Sequence, residues 1–377
     1  MIDVRRVFET FVACGVNFFT GVPDSLLKNI CAYITDHTGK EEHIIAANEG
    51  AAVGIAAGYY LATGKIPLVY MQNSGLGNAI NPLLSLVDKE VYKIPMLFMV
   101  GWRGEPGVKD EPQHKKQGEV TLALLDAMQV AYTILDEEEY AALEQIENVI
   151  KQVENEGIPH VLIIRKDVFG KYKLRKEIRN DYELSREEAL KIVVDHLEEG
   201  DIIVSTTGKL SRELYEYRES LEQGHEKDFL TVGSMGHASS IALGIAIQKV
   251  ERNVFCFDGD GAFIMHAGAI GNIGELAPSN YRHIVFNNGA HESVGGQPTV
   301  AFELNIPNIA KACGYKHVFM AKTEHELQEV LTNIRSMKGP VLLEIRVKID
   351  SRENLGRPAT SPIENKLDFM NYLKNEQ

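Results

Sequence analysis

From residue 18 onward, short apolar runs alternate with longer amphipathic stretches. The runs 16–20 (VNFFT), 43–47 (HIIAA), 67–71 (PLVYM), 95–100 (PMLFMV), 132–135 (YTIL) and 160–165 (HVLIIR) read as strands. Helical spacing of apolar residues marks 24–36, 49–63, 78–88, 119–129 and 138–155. A charged stretch from 166 to 184 interrupts this rhythm and predicts a linker over 168–184. The alternation then resumes, with strands expected near 201–206, 229–232, 253–257, 282–287, 317–320 and 341–347. Helices are expected near 186–198, 209–219, 238–249, 262–275, 305–313 and 323–336. The polar segment 350–362 predicts a loop, followed by a helix over about 363–374.

Strands separated by helices predict parallel pairing through right-handed crossovers. Strand runs that are apolar almost throughout suit sheets covered on both faces. The fold class is therefore α/β, with two doubly wound parallel-sheet domains over 1–167 and 185–377. At roughly 150 residues per domain the length agrees with this division.

Composition narrows the function classes. A net charge of −14 argues against nucleic acid or an anionic membrane as the main partner. The four cysteines, Cys14, Cys31, Cys256 and Cys313, form no CxxC pair, so they predict reduced core residues and a cytoplasmic setting. No apolar run approaches membrane-spanning length, and the opening residues lack a signal-peptide core.

The chemistry concentrates at strand ends. Gly259, Asp260 and Gly261 follow one strand, and Asn287, Asn288 and Gly289 follow the next. Both motifs stand at the carboxyl ends of parallel strands, where open α/β sheets bind ligands. The glycines admit a close backbone approach, and the helix expected from 262 offers N–H groups to a phosphate. Asp260 and Asn288 supply the hard oxygen donors that Mg²⁺ prefers. Taken alone, such a glycine pair is also an ordinary tight turn.

This arrangement resembles the diphosphate and metal motif of thiamine diphosphate enzymes. The resemblance implies that family's fold without its frequent middle domain, with thiamine diphosphate and Mg²⁺ as cofactors. It implies metal ligation by Asp260, Asn288 and the Ala290 carbonyl, with Gly261 and Ala262 beside the diphosphate. Glu49, which opens the small-residue helix of HIIAANEGAAVGIAAGYYLATGK, matches the glutamate that holds a proton on the cofactor's aminopyrimidine ring. Met235, in VGSMGH, matches the wedge that bends the cofactor, and Gly233 the carbonyl that accepts from its amino group. Thr207 and Gly208 match a further diphosphate loop. In such enzymes the cofactor lies between domains of different subunits, which implies a homo-oligomer, at least a dimer.

Asp24, in GVPDSLL, and His114, in DEPQHKKQGEV, resemble the Asp and His that simple 2-oxo acid decarboxylases set above the thiazolium. An N-cap role for Asp24 and a solvated loop position for His114 are the alternatives. The strings NNGAHESVGGQPT (287–299), STTGKLSREL (205–214), GWRGEPGVKDEPQHKKQG (101–118) and SRENLGRPATSP (351–362) resemble the phosphonopyruvate decarboxylase family. That implies decarboxylation of 3-phosphonopyruvate to phosphonoacetaldehyde and CO2, in phosphonate biosynthesis. Sulfopyruvate decarboxylase is the near alternative, and an acetolactate synthase-like carboligase a more distant one. Either doubly anionic substrate needs extra cations, for which Arg103, Lys115, Lys116, Arg352 and Arg357 are candidates, with His291 and Glu292 beside the metal loop.

Overall fold

A computed structural model describes residues 1–176, 180–352 and 354–374. These fall into two compact units, one of residues 1–176 with Ser293–Gln297, the other of the remaining described residues. In the first unit the strands are β1 (Phe19–Gly21), β2 (His43–Ile45), β3 (Leu68–Gln72), β4 (Leu97–Gly101), β5 (Ala131–Ile134) and β6 (His160–Ile164). In the second they are β7 (Ile202–Ser205), β8 (Asp228–Leu230), β9 (Val254–Gly259), β10 (Tyr281–Asn287), β11 (His317–Ala321) and β12 (Val341–Arg346). All pairings are parallel, and the sheets run β2-β1-β3-β4-β6-β5 and β8-β7-β9-β10-β12-β11. The same connectivity is thus used twice.

Each sheet has an apolar cluster on both faces, which is why its strands are hydrophobic without alternation. In the second unit, Phe255, Phe257 and Phe286 pack with the cluster on one side, and Val254, Cys256, Tyr281 and Val285 with the cluster on the other. Among the described residues no helix is long and apolar enough to cross a membrane.

All twelve expected strands are present, with ends shifted by three residues or fewer; the helices differ more. An amphipathic helix Val4–Ala13, capped by Asp3, buries Val4, Val7 and Phe11 and lies before the region where alternation is obvious. The helix expected at 119–129 starts at Pro112, whose missing N–H costs nothing in the first turn. The helix expected at 262–275 is broken into Asp260–Met265 and Ala269–Leu276, so the helix at the glycine motif is short. Of the expected linker, 177–179 lie outside the described residues. Val168, Phe169 and Leu174, earlier in that segment, are buried, and Asp36 accepts from the backbone N–H groups of Arg175 and Lys176 at 2.9 Å each.

Candidate active site

In the first unit, neighbouring β1, β3 and β4 bring one hydrogen-bonded cluster together at their carboxyl ends. Asp24 is fully buried. Its Oδ1 accepts from Gln72 Nε2 at 2.6 Å, and its Oδ2 from the Leu26 N–H at 2.9 Å. The following helix begins only at Lys28 and has no side-chain cap, so Asp24 is not its N-cap. Burial pushes the Asp24 carboxyl above its ordinary value, although Gln72, the Leu26 N–H and the Arg103 charge pull it down.

Arg103 binds Asp110 in bidentate fashion, Nε to Oδ2 at 2.8 Å and Nη2 to Oδ1 at 2.5 Å, and donates to Ser25 Oγ at 2.7 Å. Buried Asn73 holds its backbone from both sides, donating to Arg103 O at 2.8 Å and accepting from Arg103 N–H at 3.1 Å. His114 lies in the first turn of the helix Pro112–Ala127, not in a loop. Burial, with the Arg103 charge next, pushes its pKa down to about 4, against the pull of Asp110. The imidazole is therefore neutral near pH 7. Lys115 is exposed, and exposed Lys116 pairs with Glu119 at 2.9 Å.

Glu49 stands in the first turn of the helix Glu49–Thr63, whose N-cap Asn48 accepts from Ala51 N–H. Its carboxylate is buried and accepts from Asn78 Nδ2 at 2.7 Å. Gly75 packs directly against it, since a Cβ there would lie 2.4 Å from Glu49 Oε1.

In the second unit, the register Phe286↔Gly259 sets the two motif loops side by side. The buried Asp260 carboxylate accepts from Thr299 Oγ1 at 2.5 Å. Burial pushes its pKa up to about 6, partly offset by Thr299 and backbone N–H groups. The Arg186 charge also lowers it, without forming a salt bridge to it, and a buried carboxylate of this kind is a suitable cation ligand. Asn288 Oδ1 accepts from Ala290 N–H at 3.1 Å, while Nδ2 donates to Glu292 at 3.1 Å. Glu292 also accepts from Arg186 at 2.8 Å and from the Ser351 N–H at 3.0 Å. Arg186 in turn grips Glu213 with bonds of 2.8 and 2.7 Å.

A Cβ on Gly261 would lie 3.1 Å from the His291 ring and 3.2 Å from Met235 Cε, so these three converge. Burial pushes His291 down to about 4. Gly233 and Met235 lie half-buried in the same loop. Half-buried Thr207 precedes Gly208, whose φ of 106° turns the chain into the helix Lys209–Ser220. Ala262 is buried in the first turn after Asp260. Exposed Arg352 is held by Glu187 at 2.7 Å and Glu216 at 2.5 Å, and Arg357 is exposed.

Comparison with known proteins decides the family. Residues 4–129 match "Thiamine pyrophosphate enzyme, N-terminal TPP binding domain", and residues 206–345 match "Thiamine pyrophosphate enzyme, C-terminal TPP binding domain". A phosphonopyruvate decarboxylase of Streptomyces viridochromogenes is 31% identical over 97% of this chain and 93% of its own length. Another, of Streptomyces hygroscopicus, is 32% identical over 97% and 92%. The chain belongs to the phosphonopyruvate decarboxylase family of thiamine pyrophosphate enzymes. A sulfopyruvate decarboxylase of Methanosarcina acetivorans is 28% identical over 91% of each chain, so the two families are neighbours. The family is one of carboxy-lyases, and both domain matches support thiamine diphosphate as the cofactor.

Sequence reasoning did not single out Gln72, Asn73, Asn78, Asp110, Arg186, Glu213 or Thr299. The string QNSGLGNAINP after β3, rich in Asn and Gly, was a usable signal for the first three. Arg186 and Glu213 meet only through packing of their two helices, which no local pattern announces.

Proposed function

We propose that this enzyme decarboxylates 3-phosphonopyruvate to phosphonoacetaldehyde and CO2, with thiamine diphosphate and Mg²⁺, within phosphonate biosynthesis. The observation that carries the substrate is the nearly full-length similarity to two phosphonopyruvate decarboxylases. Bound thiamine diphosphate supplies an electron sink for the carbanion left when CO2 departs.

The donor set of Asp260, Asn288 and the Ala290 carbonyl suits Mg²⁺, because all three offer hard oxygen. Gly261, Ala262, Thr207 and Gly208 would face the diphosphate, Met235 would brace the bend of the cofactor, and Gly233 would accept from its amino group. Glu49 would hold the proton at the aminopyrimidine ring, with Asn78 fixing the carboxylate for that contact. Asp24 would deliver the proton to the product, a task suited to a carboxyl raised by burial, and the neutral His114 imidazole would relay the proton that replaces it. His291 would sit between the metal loop and the substrate. Arg103 is engaged by Asp110, so it would meet the phosphonate by exchanging that partner. Lys115, Arg352 and Arg357 would add positive charge. The cofactor would lie between domains of two subunits, in a homo-oligomer.

Sulfopyruvate remains the second reading, favoured by the 28% identity to its decarboxylase. An aldehyde-release assay with Mg²⁺ and thiamine diphosphate compares phosphonopyruvate, sulfopyruvate and pyruvate. The proposal expects kcat/KM for phosphonopyruvate to lead by about 100-fold, or about 2.7 kcal/mol of transition-state discrimination. A lead for sulfopyruvate moves the enzyme to the neighbouring family, and turnover of none overturns the substrate assignment.

A further inference from the structure

Below the two motif loops, on the face of β9 and β10 that carries Val254 and Val285, lies a buried polar cluster that the reaction does not use. Cys256 and Asp258 are two residues apart on β9 and therefore share a face. His283 on β10 pairs directly with Cys256 in the register. All three are fully buried. Cys256 Sγ, an Asp258 oxygen and a His283 ring nitrogen lie within 4.8 Å of one another. Phe263, Tyr281 and Tyr315 surround the imidazole.

The hydrogen bonding is incomplete in a specific way. His283 Nδ1 and the Tyr315 hydroxyl are 3.1 Å apart, which engages that nitrogen. Nε2 faces Asp258 Oδ2 at 3.5 Å without a hydrogen bond, and neither Asp258 oxygen has a partner. Other buried acids of this unit are partnered: Asp228 by Arg218, Glu213 by Arg186, and Asp260 by Thr299. Among the described residues, Asp258 is the one carboxylate with both oxygens buried and unpartnered. An uncompensated buried carboxylate is costly, so either a proton or a positive group belongs beside it.

Two distances separate the possible occupants. A charge-assisted bond from imidazolium to carboxylate closes to about 2.7–2.9 Å, well short of the observed gap. Nitrogen and oxygen ligands of one tetrahedral zinc, each about 2.0–2.1 Å from it, stand about 3.3 Å apart. The 3.5 Å between Nε2 and Oδ2 matches the second case. The engaged Nδ1 also fits, since a ligating histidine commonly fixes its other ring nitrogen with a hydrogen bond.

We propose that Cys256, Asp258 and His283 form a site for a divalent cation of the zinc class, distinct from the Mg²⁺ site. One sulfur, one nitrogen and one oxygen are a borderline-soft set that Mg²⁺ disfavours. Binding releases the thiol proton and ties β9 to β10 just before the loops bearing Asp260 and Asn288. Three protein ligands leave a fourth position to water.

The test uses the full chain with thiamine diphosphate and Mg²⁺, purified from cells grown with added zinc or, separately, added cobalt. The expected result is about one zinc per chain retained through dialysis against EDTA. The cobalt-grown protein should show a sulfur-to-cobalt charge-transfer band, which oxygen-only Asp260 and Asn288 cannot produce. That band should vanish in Cys256→Ser, and retained zinc should fall about tenfold or more in His283→Gln. Zinc X-ray absorption on the unmodified protein needs no variant and should find one sulfur among the ligands. Zinc below about a tenth per chain with cofactor bound normally overturns the site, as a buried water in its place would give. A zinc shell without sulfur, or a charge-transfer band that survives Cys256→Ser, overturns it equally.

Discussion

Glu49 keeps its place because position 75 has no side chain: a Cβ there would lie 2.4 Å from its Oε1. Gly75→Ala should therefore shift the carboxylate and lower kcat by about tenfold or more, with stability changed little. Glu49→Gln keeps the shape but not the proton, so cofactor binding by titration should persist while turnover disappears. Persistent turnover refutes the assigned role. A different histidine, outside the site, contributes to acid sensitivity alongside His114 and His291. His43 Nε2 and the Tyr70 hydroxyl are 2.7 Å apart, and burial, with Lys176 adding, pushes His43 down to about 4. Between that value and an unfolded pKa of about 6.5, the unfolded chain takes a proton that the folded chain refuses. His43 thus removes stability as pH falls through that window and changes nothing above it. His43→Gln should flatten the decline of Tm between about pH 6.5 and 4, measured against the parent protein.

At the scale of elements, the order β1-β3-β4 determines which loops can meet. Asp24 follows β1, Gln72 ends β3 and Gly101 ends β4, and a Cβ on Gly101 would stand 2.4 Å from Asp24 Oδ2. Gly101→Ala should displace the carboxylate and reduce kcat by about 10- to 100-fold, which steady-state kinetics with the preferred 2-oxo acid will measure. In the second unit, Glu292 links the Asn288 loop, the helix start at Arg186 and the segment at Ser351. Glu292→Gln weakens the charge pairing with Arg186 and loosens Asn288. The Mg²⁺ concentration needed for half-maximal cofactor binding should rise about tenfold; an unchanged titration would show that Asn288 needs no such support.

For the whole molecule, the proposal that domains of different subunits share a cofactor has a direct test. Glu49→Gln and Asp260→Ala chains, each inactive alone, should recover activity when unfolded together and reassembled. In a randomly mixed dimer half the molecules are heterodimers, each with one intact site, so about a quarter of wild-type activity is expected. No recovery from a verified heterodimer means that each site is built within one chain.

The sequence by itself determined the twelve parallel strands, the α/β class and the two motif loops. These are local signals: an apolar run long enough for a strand, a glycine where the backbone turns, an acid at a strand end. The helix Val4–Ala13 was less legible because its apolar face is a stripe among charges of both signs. Tertiary structure alone decided which polar side chains pair. Asp110 lies seven residues from Arg103, but Arg186 and Glu213 are 27 apart, and Gln72 and Asp24 are 48 apart. The state of Asp258 and His283 was likewise invisible, because each reads locally as a strand residue. Burial, strand register and the absence of a competing donor are properties of packing, and they exist only once the sheet has formed.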